Sequence, residues 1–362
     1  MHITFFIGNG FDLNLGLKTR YKDFYKYFKE NAEESNMIKN WINEDDIFWS
    51  DLEQALGKSL IHVKENNLEK FYDDKDEMDD LLVEYLKKEQ DKYIYDETNI
   101  KKQLIYSLDN LDANLSKDEK MLIENLKEKY GNTNLIYNFV SFNYTNCLDK
   151  IVEIQKSESS IISQHSYGAN GYNTMSQLGE IYHIHGTVNE EMILGVNDES
   201  QIHNIWLKGN DEFYDNIIKV RMNEMIGQQK TADVKNVINR SRIICLFGMS
   251  IGETDKIWWE EIVDWMKKDK ENLLILFWRD DKKLNENKLP GRTIRNNRKI
   301  KRKFLKKGNA ENIDDELLKS IMSRIFISYN SKDIFRFPQY EEAEKENTKD
   351  GVLTKKKKNN YY

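Results

Sequence analysis

Short, mostly apolar runs divide the chain, and a glycine or polar residue follows each of them. They cover residues 3–7, 135–142, 242–247, 273–278 and 323–328, with shorter runs at 181–184 and 192–196. Runs of this length bounded by turn residues predict buried β-strands. The periodic stretches between them predict helices at 146–155, 211–241 and 253–266. Strands that alternate with helices predict an α/β fold with a mainly parallel sheet covered on both faces.

A long charged segment, residues 22–134, separates the first two apolar runs. Its apolar residues recur at helical spacing, as in Phe24, Tyr27 and Phe28, and it contains no proline. This pattern predicts amphipathic helices. We therefore predict an α/β core formed by 1–21 and 135–335, a helical insertion at 22–134 and a disordered charged tail at 340–362. Residues 157–177, rich in Ser, Gly and Asn, are expected to form a mobile loop.

Composition limits the classes of function. The chain has 362 residues and a formal charge of −7, which gives no general argument for binding nucleic acid or membranes. Its two cysteines, Cys147 and Cys245, lie in or beside apolar stretches and fit a reducing compartment. No apolar run approaches the roughly 20 residues of a membrane span, and the first residues do not resemble a signal peptide. We expect a cytoplasmic protein.

Four predicted strand ends carry small or polar residues. Residues 8–12 (Gly-Asn-Gly-Phe-Asp) follow the first strand, Asn143 follows the second, His185 follows the run at 181–184, and Gly248 and Ser250 follow the run at 242–247. In open α/β sheets, ligands bind in the crevice at the carboxyl ends of the strands. Glycine at such a turn lets a ligand approach the backbone. The four ends are therefore expected to share one ligand site.

Each of these residues also has a plainer explanation. Gly8 and Gly10 alone predict a tight turn, and Leu13 stands where a dinucleotide fingerprint needs its third glycine, so an ordinary Rossmann dehydrogenase is disfavoured. Asn143 could satisfy its own turn through its side chain. Ser250 could cap the following helix.

Two histidines, His183 and His185, stand two residues apart on the short predicted strand and should therefore face the same side. His185 directly precedes a glycine at the strand end, which favours a catalytic role, whereas His183 is expected to be structural. A His-x-His pair can also begin a metal site, but further ligands are scattered in the sequence and no metal is expected.

The strand-end motifs belong to a larger set that resembles a known family. The set consists of Gly8-Asn9-Gly10-Phe11-Asp12, Gly16-Leu17-x-Thr19, Asn143-Tyr144, His185-Gly186, Gly248-x-Ser250-x-Gly252-x-x-Asp255 and, more loosely, Phe48-Trp49-x-x-Leu52-Glu53. It resembles the AbiH family of bacterial phage abortive-infection proteins. The resemblance covers residues 1 to about 280, so the basic stretch at 291–307 and the tail lie outside it.

AbiH-like sequences in turn resemble the Rossmann-like fold of sirtuins, which binds NAD. Asn143 matches the asparagine of the sirtuin Thr-Gln-Asn-Ile-Asp motif, and His185 matches the histidine of its His-Gly motif. Gly248 and Ser250 match its Gly-Thr-Ser motif.

The departures from the sirtuin pattern bear on the reaction. Asn9 and Asp12 replace an alanine and a serine, and Thr145 stands where sirtuins have aspartate. The cysteine cluster that binds zinc in deacetylases is missing. These differences cast doubt on protein deacetylation and favour NAD hydrolysis.

The resemblance implies an antiphage protein, an NAD glycohydrolase that releases nicotinamide and ADP-ribose when phage infection triggers it. NAD is the expected substrate. Asn143 would hold a water against the ribose carbon, and His185 would act as the general base. The amides of residues 8–11 and the start of the next helix would bind the diphosphate. The full set of expected nucleotide-binding residues is Gly8, Asn9, Gly10, Phe11, Asp12, Thr19, Gly248, Ser250 and Asp255.

Two other classes of function stay open. The first is a non-catalytic nucleotide-sensing module that acts through a partner. The second is an enzyme that cleaves nucleic acid and uses the basic stretch at 291–307 as a phosphate-contacting surface, although a solvated helix face explains that stretch more simply. The expected partners are NAD or a related nucleotide, a phage-derived trigger protein and a second copy of the chain. Nucleic acid is not the favoured partner, and no membrane association is expected.

Overall fold

A computed structural model describes residues 1–44, 52–167, 172–227, 229–279, 290–310, 313–329 and 331–339. The strands are β1 (His2–Ile7), β2 (Leu135–Ser141), β3 (Ile161–Tyr167), β4 (Tyr172–His183), β5 (Ser241–Phe247), β6 (Leu273–Trp278) and β7 (Ile325–Tyr329). The first helices are α1 (Gly10–Asn14), α2 (Tyr21–Asn31), α3 (Met37–Glu44), α4 (Leu52–Ser59), α5 (Leu68–Gln90), α6 (Glu97–Asp109) and α7 (Lys117–Lys129). They are followed by α8 (Cys147–Lys156), α9 (Asp211–Ile217), α10 (Lys219–Met225), α11 (Lys230–Arg240), α12 (Lys256–Lys268), α13 (Pro290–Lys307) and α14 (Asp315–Ser323).

The described residues form one seven-stranded sheet in the order β3-β4-β2-β1-β5-β6-β7. The strands β4, β2, β1, β5, β6 and β7 are parallel, and β3 pairs with β4 in the antiparallel direction at one edge. The chain adds strands to one side of β1 and then, from β5 onward, to the other side. The predicted α/β fold with a mainly parallel sheet is therefore confirmed.

Both faces of the sheet are covered, as its continuous apolar strands predict. Phe5 points to one face and Phe6 to the other, and both are fully buried. Helices α6, α7 and α8 pack on the face of Phe5. Helices α11, α12, α13 and α14 pack on the face of Phe6.

A second apolar cluster lies between the first helices and a later part of the chain. It joins Phe24, Phe71 and Leu82 of helices α2 and α5 to residues 188–218, including Phe213 of α9. The helices α6 and α7, by contrast, pack on the sheet. The proposed division into a core and a helical insertion stays a prediction.

The segment at 157–177 differs from the expected loop. Most of it forms the β3–β4 hairpin, in which Ile161 pairs with Gln177 and His165 pairs with Thr174. Its Ser, Thr and Gln residues hid the strands because they do not form an apolar stripe, and several of them form side-chain hydrogen bonds instead. The ring of His165, for example, bonds Ser163 at 2.8 Å and Ser176 at 3.0 Å. Strand β4 accordingly starts at Tyr172, well before the predicted residue 181.

Two further predictions are wrong for a shared reason. The predicted strand at 192–196 forms no ladder and contributes a single parallel bridge between Val196 and Ile218. The predicted helix at 211–241 is three helices, with a first break at Ile218, whose φ and ψ of −90° and 115° are extended. The bridge fixes Ile218 in this conformation, because Val196 accepts the Lys219 amide at 2.9 Å.

Some predictions fall outside the described residues. These are the tail at 340–362 and the Phe48-Trp49 pair. Within the part of the chain that is described, no helix has both the length and the apolar character that crossing a membrane requires.

The loops after β1 and β5 touch through glycines. The Gly10 amide donates to the Gly248 carbonyl at 2.8 Å, and Gly248 has a φ of +67°. A Cβ on Gly10 would lie 2.5 Å from the Gly248 Cα, and one on Gly248 would lie 2.8 Å from the Phe11 nitrogen. These are backbone atoms that cannot swing aside. The glycines therefore allow the loops after the neighbouring strands β1 and β5 to pack closely against each other.

We expect Gly248→Ala to lower the free energy of unfolding by more than Gly209→Ala does. Both positions have a positive φ, but nothing lies within 4 Å of a Cβ at Gly209. Gly209→Ala should cost about 1–2 kcal/mol for the left-handed backbone alone. Gly248→Ala adds the backbone clash, and we expect a total above roughly 3 kcal/mol. Urea denaturation of both variants measures the difference, and equal losses would contradict the role given to this contact.

Candidate functional site

Asp12 ties the end of β1 to the end of β2. It lies in the short helix α1, is 1% exposed, and accepts hydrogen bonds from Asn143 Nδ2 at 3.1 Å and Thr145 Oγ1 at 2.7 Å. Burial raises the pKa of Asp12 from its ordinary 3.8 to about 7, although the two hydrogen bonds act in the opposite direction. The carboxyl group can therefore gain or lose a proton near neutral pH.

A cavity of about 90 Å³ opens beside this carboxyl group. Its polar wall comes from the ends of β1 and β2 and includes Asp12, Asn143 and Thr145. Its apolar wall comes from helices α2 and α5, through Phe24 and Leu82. The cavity thus lies between the sheet and the first helices of the chain.

The Asn143 carboxamide has one spare group beside this cavity. Its Nδ2 donates to Asp12, but its Oδ1 is buried and has no hydrogen-bond partner in the part of the chain that the structure describes. Buried acceptors are nearly always satisfied in folded proteins. A ligand or water that donates a hydrogen bond would satisfy this oxygen.

Asn9 and Thr19 close one side of the same cavity. The Thr19 hydroxyl donates to Asn9 Oδ1 at 2.5 Å, and Asn9 Nδ2 donates to the Thr19 carbonyl at 3.0 Å. Both residues line the cavity. Their reciprocal bonds fix the loop that follows α1.

His185 lies just beyond the end of β4 and is held by Asp255. Its Nε2 is 3.2 Å from Asp255 Oδ1, which places the ring proton on Nε2 and leaves Nδ1 as an acceptor. Nδ1 is buried and, among the described residues, has no hydrogen-bond partner. The ring packs edge-on against Phe142 and beside Tyr144.

Burial and the charge of Lys219 keep the imidazole of His185 neutral. Burial and, to a smaller extent, the Lys219 ammonium lower the pKa of His185 to about 4, against the opposing effect of Asp255. Burial also disfavours the ionised form of Asp255, but Lys219 and His185 outweigh it and hold the pKa of that carboxyl below its ordinary value. At neutral pH this is a carboxylate–imidazole pair with a free Nδ1 lone pair.

Lys219 links this pair to the first helices. Its Nζ is 2.7 Å from Glu53 Oε2, 3.6 Å from Asp255 Oδ1 and 3.1 Å from the Thr254 carbonyl oxygen. The side chains of Lys219 and Glu53 are 4% and 7% exposed. Tyr144 follows Asn143 in the sequence, and its hydroxyl donates to Glu53 Oε1 at 3.3 Å. The charged cluster therefore reaches the strand end that carries Asn143.

The structure groups the predicted site residues into two neighbouring sets. Asn9, Asp12, Thr19 and Asn143 surround the cavity. His185 and Asp255 form the second set. Tyr144 contacts both, because its ring lines the cavity and packs beside His185.

The remaining predicted residues have other surroundings. The amides of Gly8, Gly10 and Phe11 already donate to the carbonyls of Phe247, Gly248 and Gly8, at 3.0, 2.8 and 2.9 Å. The Phe11 ring is buried against Phe335 and Phe337. Ser250 is exposed and does not cap a helix, because α12 starts at Lys256 with Asp255 at its N-cap.

His183 and His185 do not share a face as predicted. The strand ends at His183, whose Nε2 lies 2.9 Å from Asp149 Oδ1 on α8, whereas His185 contacts Asp255. Among the described residues, no group of three or more His, Cys, Asp or Glu side chains is placed to hold a metal ion.

Sequence reasoning missed Lys219, and Glu53 entered only as part of a loosely matched motif. A lysine inside a stretch that reads as one helix gives no sign that it will be buried. The break at Ile218 sets the position of Lys219 at the start of α10. That break follows from a contact with Val196, which no local pattern predicts.

The chain matches a known protein family. A family model described as "Bacteriophage abortive infection AbiH" matches residues 4–277, which is more than half of the chain. Among curated proteins, no sequence matches the chain.

The Asp12 pKa predicts how stability depends on pH. The folded protein keeps the Asp12 proton up to about pH 7, whereas the unfolded chain loses it near 3.8. The proton on Asp12 therefore adds to the free energy of unfolding. This addition is fully present below pH 3.8 and is lost as pH rises through about 7. It should amount to about 3 kcal/mol between pH 5 and 8.

Chemical denaturation at both pH values measures this contribution. The neutral isostere Asp12→Asn should lack this pH-dependent contribution. Its free energy of unfolding should therefore rise relative to that of the wild type as pH rises. Asp73→Asn, a substitution of an exposed carboxylate on α5, is the control and should keep the wild-type dependence. If the stability of Asp12→Asn depended on pH as that of the wild type does, Asp12 would not be protonated in the folded protein.

Lys219→Met should be strongly destabilising, because it leaves Glu53 and Asp255 buried without their cation. Breaking a buried ion pair typically costs about 3–5 kcal/mol. Lys235→Met is the control, since its pair with Glu261 is 39% and 25% exposed and should be worth under about 1 kcal/mol. Urea denaturation at pH 7 compares the two variants, and similar losses would argue against a buried charge at Lys219.

Proposed function

The chain belongs to the bacteriophage abortive infection AbiH family, and on this basis we propose that it acts against phage by hydrolysing the nicotinamide–ribose bond of NAD. The strand order supports a nucleotide as the substrate. When only the parallel strands are counted along the chain, their order in the sheet is 3-2-1-4-5-6. Rossmann folds that bind dinucleotides have this order. We propose on this ground that the core is Rossmann-like and related to that of sirtuins.

One observation carries the proposed reaction. Asn143 Oδ1 and His185 Nδ1 are both buried acceptors that no described residue supplies with a hydrogen-bond donor, and they follow the neighbouring strands β2 and β4. Unsatisfied buried acceptors are costly, so their presence calls for a ligand that supplies donors. Ribose hydroxyls and a nucleophilic water are such donors. A ligand that brings a sugar and a water to these two strand ends would satisfy both atoms.

The proposed mechanism uses the neutral imidazole. The bond between C1′ of the ribose and the nicotinamide nitrogen breaks, and its electron pair leaves with nicotinamide. The Asn143 carboxamide holds the ribose or the water, and the water oxygen bonds to C1′. His185 Nδ1 accepts the proton from that water and then passes it to solvent. Asp255 orients the ring and stabilises the transient imidazolium, as a carboxylate does in other His-based sites.

The cavity bounds what the described conformation can hold. Small-molecule sites typically enclose about 300–1,000 Å³, and this one encloses about 90 Å³. NAD could enter fully only if helices α2 and α5, which supply Phe24 and Leu82, moved away from the sheet. We include that opening in the proposal, because an enzyme that destroys NAD must be inactive in healthy cells. A phage-derived trigger protein would favour the open form.

The proposal concerns the ribose end of the nucleotide. Three of the four amides in residues 8–11 already donate to backbone carbonyls, so the predicted contact between these amides and the diphosphate has no direct support. We assign Gly8, Gly10 and Gly248 to close packing of the two loops. Asn9 and Thr19 remain the proposed nucleotide contacts on this side. A cytoplasmic location and self-association stay predictions.

Nicotinamide release tests the reaction. Purified protein is incubated with NAD, alone and with extract from phage-infected cells, and nicotinamide is separated and quantified. We expect release with infected extract, and we expect Asn143→Ala and His185→Ala each to lower it by at least about 100-fold. His183→Ala is the matched control, since His183 pairs with Asp149 of α8 and not with Asp255, and it should retain most of the release.

Two outcomes would contradict the proposed reaction. The first is nicotinamide release by His185→Ala and Asn143→Ala at the wild-type rate. The second is tight binding of NAD without turnover, even in infected extract, which would favour the nucleotide-sensing alternative. Circular dichroism of each variant shows whether the fold is intact.

A further inference from the structure

Helix α13 (Pro290–Lys307) lies outside the matched family region and has two chemically opposite faces. Its apolar side packs on the sheet layer through Ile300, Phe304 and Leu305, which are at most 7% exposed. The Phe304 ring contacts Trp259 of α12 at a centroid distance of 6.3 Å. The helix is thus firmly attached to the core, and its other side faces solvent.

The solvent side carries a row of cations, which we call the basic face: Arg295, Arg298, Lys299 and Arg302. All four are exposed, and their spacing of three and four residues places them on one side of the helix. Among the described residues, none of the four has an ion-pair or hydrogen-bond partner. By contrast, Lys301 donates to the Met322 carbonyl and Lys307 pairs with Glu253.

The distribution of charge does not serve the stability of the helix. Like charges stand four residues apart in the pairs Arg295/Lys299 and Arg298/Arg302, and such pairs destabilise a helix. Arg292 lies in the first turn of the helix, where the backbone dipole favours anions. The helix contains nine basic and no acidic residues, while the whole chain carries −7, so the rest of the chain carries −16. The positive charge is therefore concentrated at one place on an otherwise acidic protein.

We propose that the basic face of α13 binds the phosphate backbone of a nucleic acid. From Arg295 to Arg302 the helix rises about 10 Å, at 1.5 Å per residue. One strand of a duplex carries a phosphate about every 3.4 Å, so roughly four phosphates lie along that length. Binding would replace the repulsion between neighbouring cations with charge-assisted hydrogen bonds, for which arginine is well suited. The proposed contact is with the phosphate backbone, which carries no sequence information directly.

A membrane surface fits this helix less well. Basic helices that lie on membranes insert an apolar face of the helix into the lipid. Here that face is already buried against the protein, and Ile294 is the exposed large apolar side chain of the described helix, at 58%. The cations alone would give only weak attraction to anionic lipids.

Salt-dependent binding tests the proposal. The full chain is titrated against a fluorescently labelled 20-base-pair DNA duplex and a 20-nucleotide single strand, between 50 and 200 mM salt. With four phosphate contacts, log Kd should change with log salt at a slope of about 3.6 for the duplex, which weakens binding roughly 100-fold over this range. The variant Arg295→Gln/Arg298→Gln/Lys299→Gln/Arg302→Gln should lose most of the affinity and most of the slope.

A control variant removes the same number of positive charges from another part of the surface. Four exposed lysines on α2, α5 and α6 are replaced in Lys22→Gln/Lys26→Gln/Lys87→Gln/Lys102→Gln, and the Kd should stay within about threefold of the wild type. If the four-residue variant of the basic face does not fold, the pairs Arg295→Gln/Arg298→Gln and Lys299→Gln/Arg302→Gln are tested separately, and each should remove about half of the slope.

Three results would overturn the proposal. One is the absence of binding to either nucleic acid at 50 mM salt. Another is an equal loss of affinity in the two four-residue variants, which would indicate a diffuse charge effect. The third is binding to vesicles that contain phosphatidylserine without binding to nucleic acid. None of these measurements depends on NAD turnover, so the proposal can fail or succeed independently of the proposed enzymatic function.

Discussion

The buried ammonium of Lys219 is the interaction on which the site depends. It neutralises Glu53 from helix α4 and Asp255 from the start of α12, with its Nζ 2.7 and 3.6 Å from the two carboxylates. A buried carboxylate is stable only when it is paired or protonated, so each of these groups needs the others in place. Because they come from distant parts of the chain, the cluster also fixes the first helices against the loop that follows β5.

The same cluster sets the chemistry of His185. An imidazole beside a buried ammonium stays neutral, and the bond to Asp255 determines which nitrogen keeps the proton. The other nitrogen, Nδ1, is then an acceptor for which the described residues provide no donor, as is Oδ1 of Asn143 on the adjacent strand end. Electrostatics and hydrogen bonding together leave two acceptors that a sugar or a water can occupy. This is why we favour chemistry on a ribose over a purely structural role for these residues.

The close contact of the loops after β1 and β5 changes the role of the opening glycines. The sequence of this turn resembles a phosphate-binding loop, but its amides donate to backbone carbonyls. Its glycines allow the two backbones to come within van der Waals distance. The open space lies on the other side of β1, beside Asp12 and Asn143. The nucleotide, if it binds as proposed, is held mainly by side chains at the ends of β1, β2 and β4.

The sequence by itself determined the parallel sheet, because strands buried on both faces are continuous apolar runs that stand out between turn residues. It also placed Asp12, Asn143 and His185 at or just beyond strand ends, because polar residues that follow such runs are conspicuous. It did not reveal the β3–β4 hairpin, whose strands are held by backbone bonds between polar residues. Only the tertiary structure decided that Lys219 is buried, that Ile218 breaks a helix and that His183 and His185 have different partners. Each of these follows from contacts between residues far apart in the chain, and such contacts cannot be predicted from local periodicity.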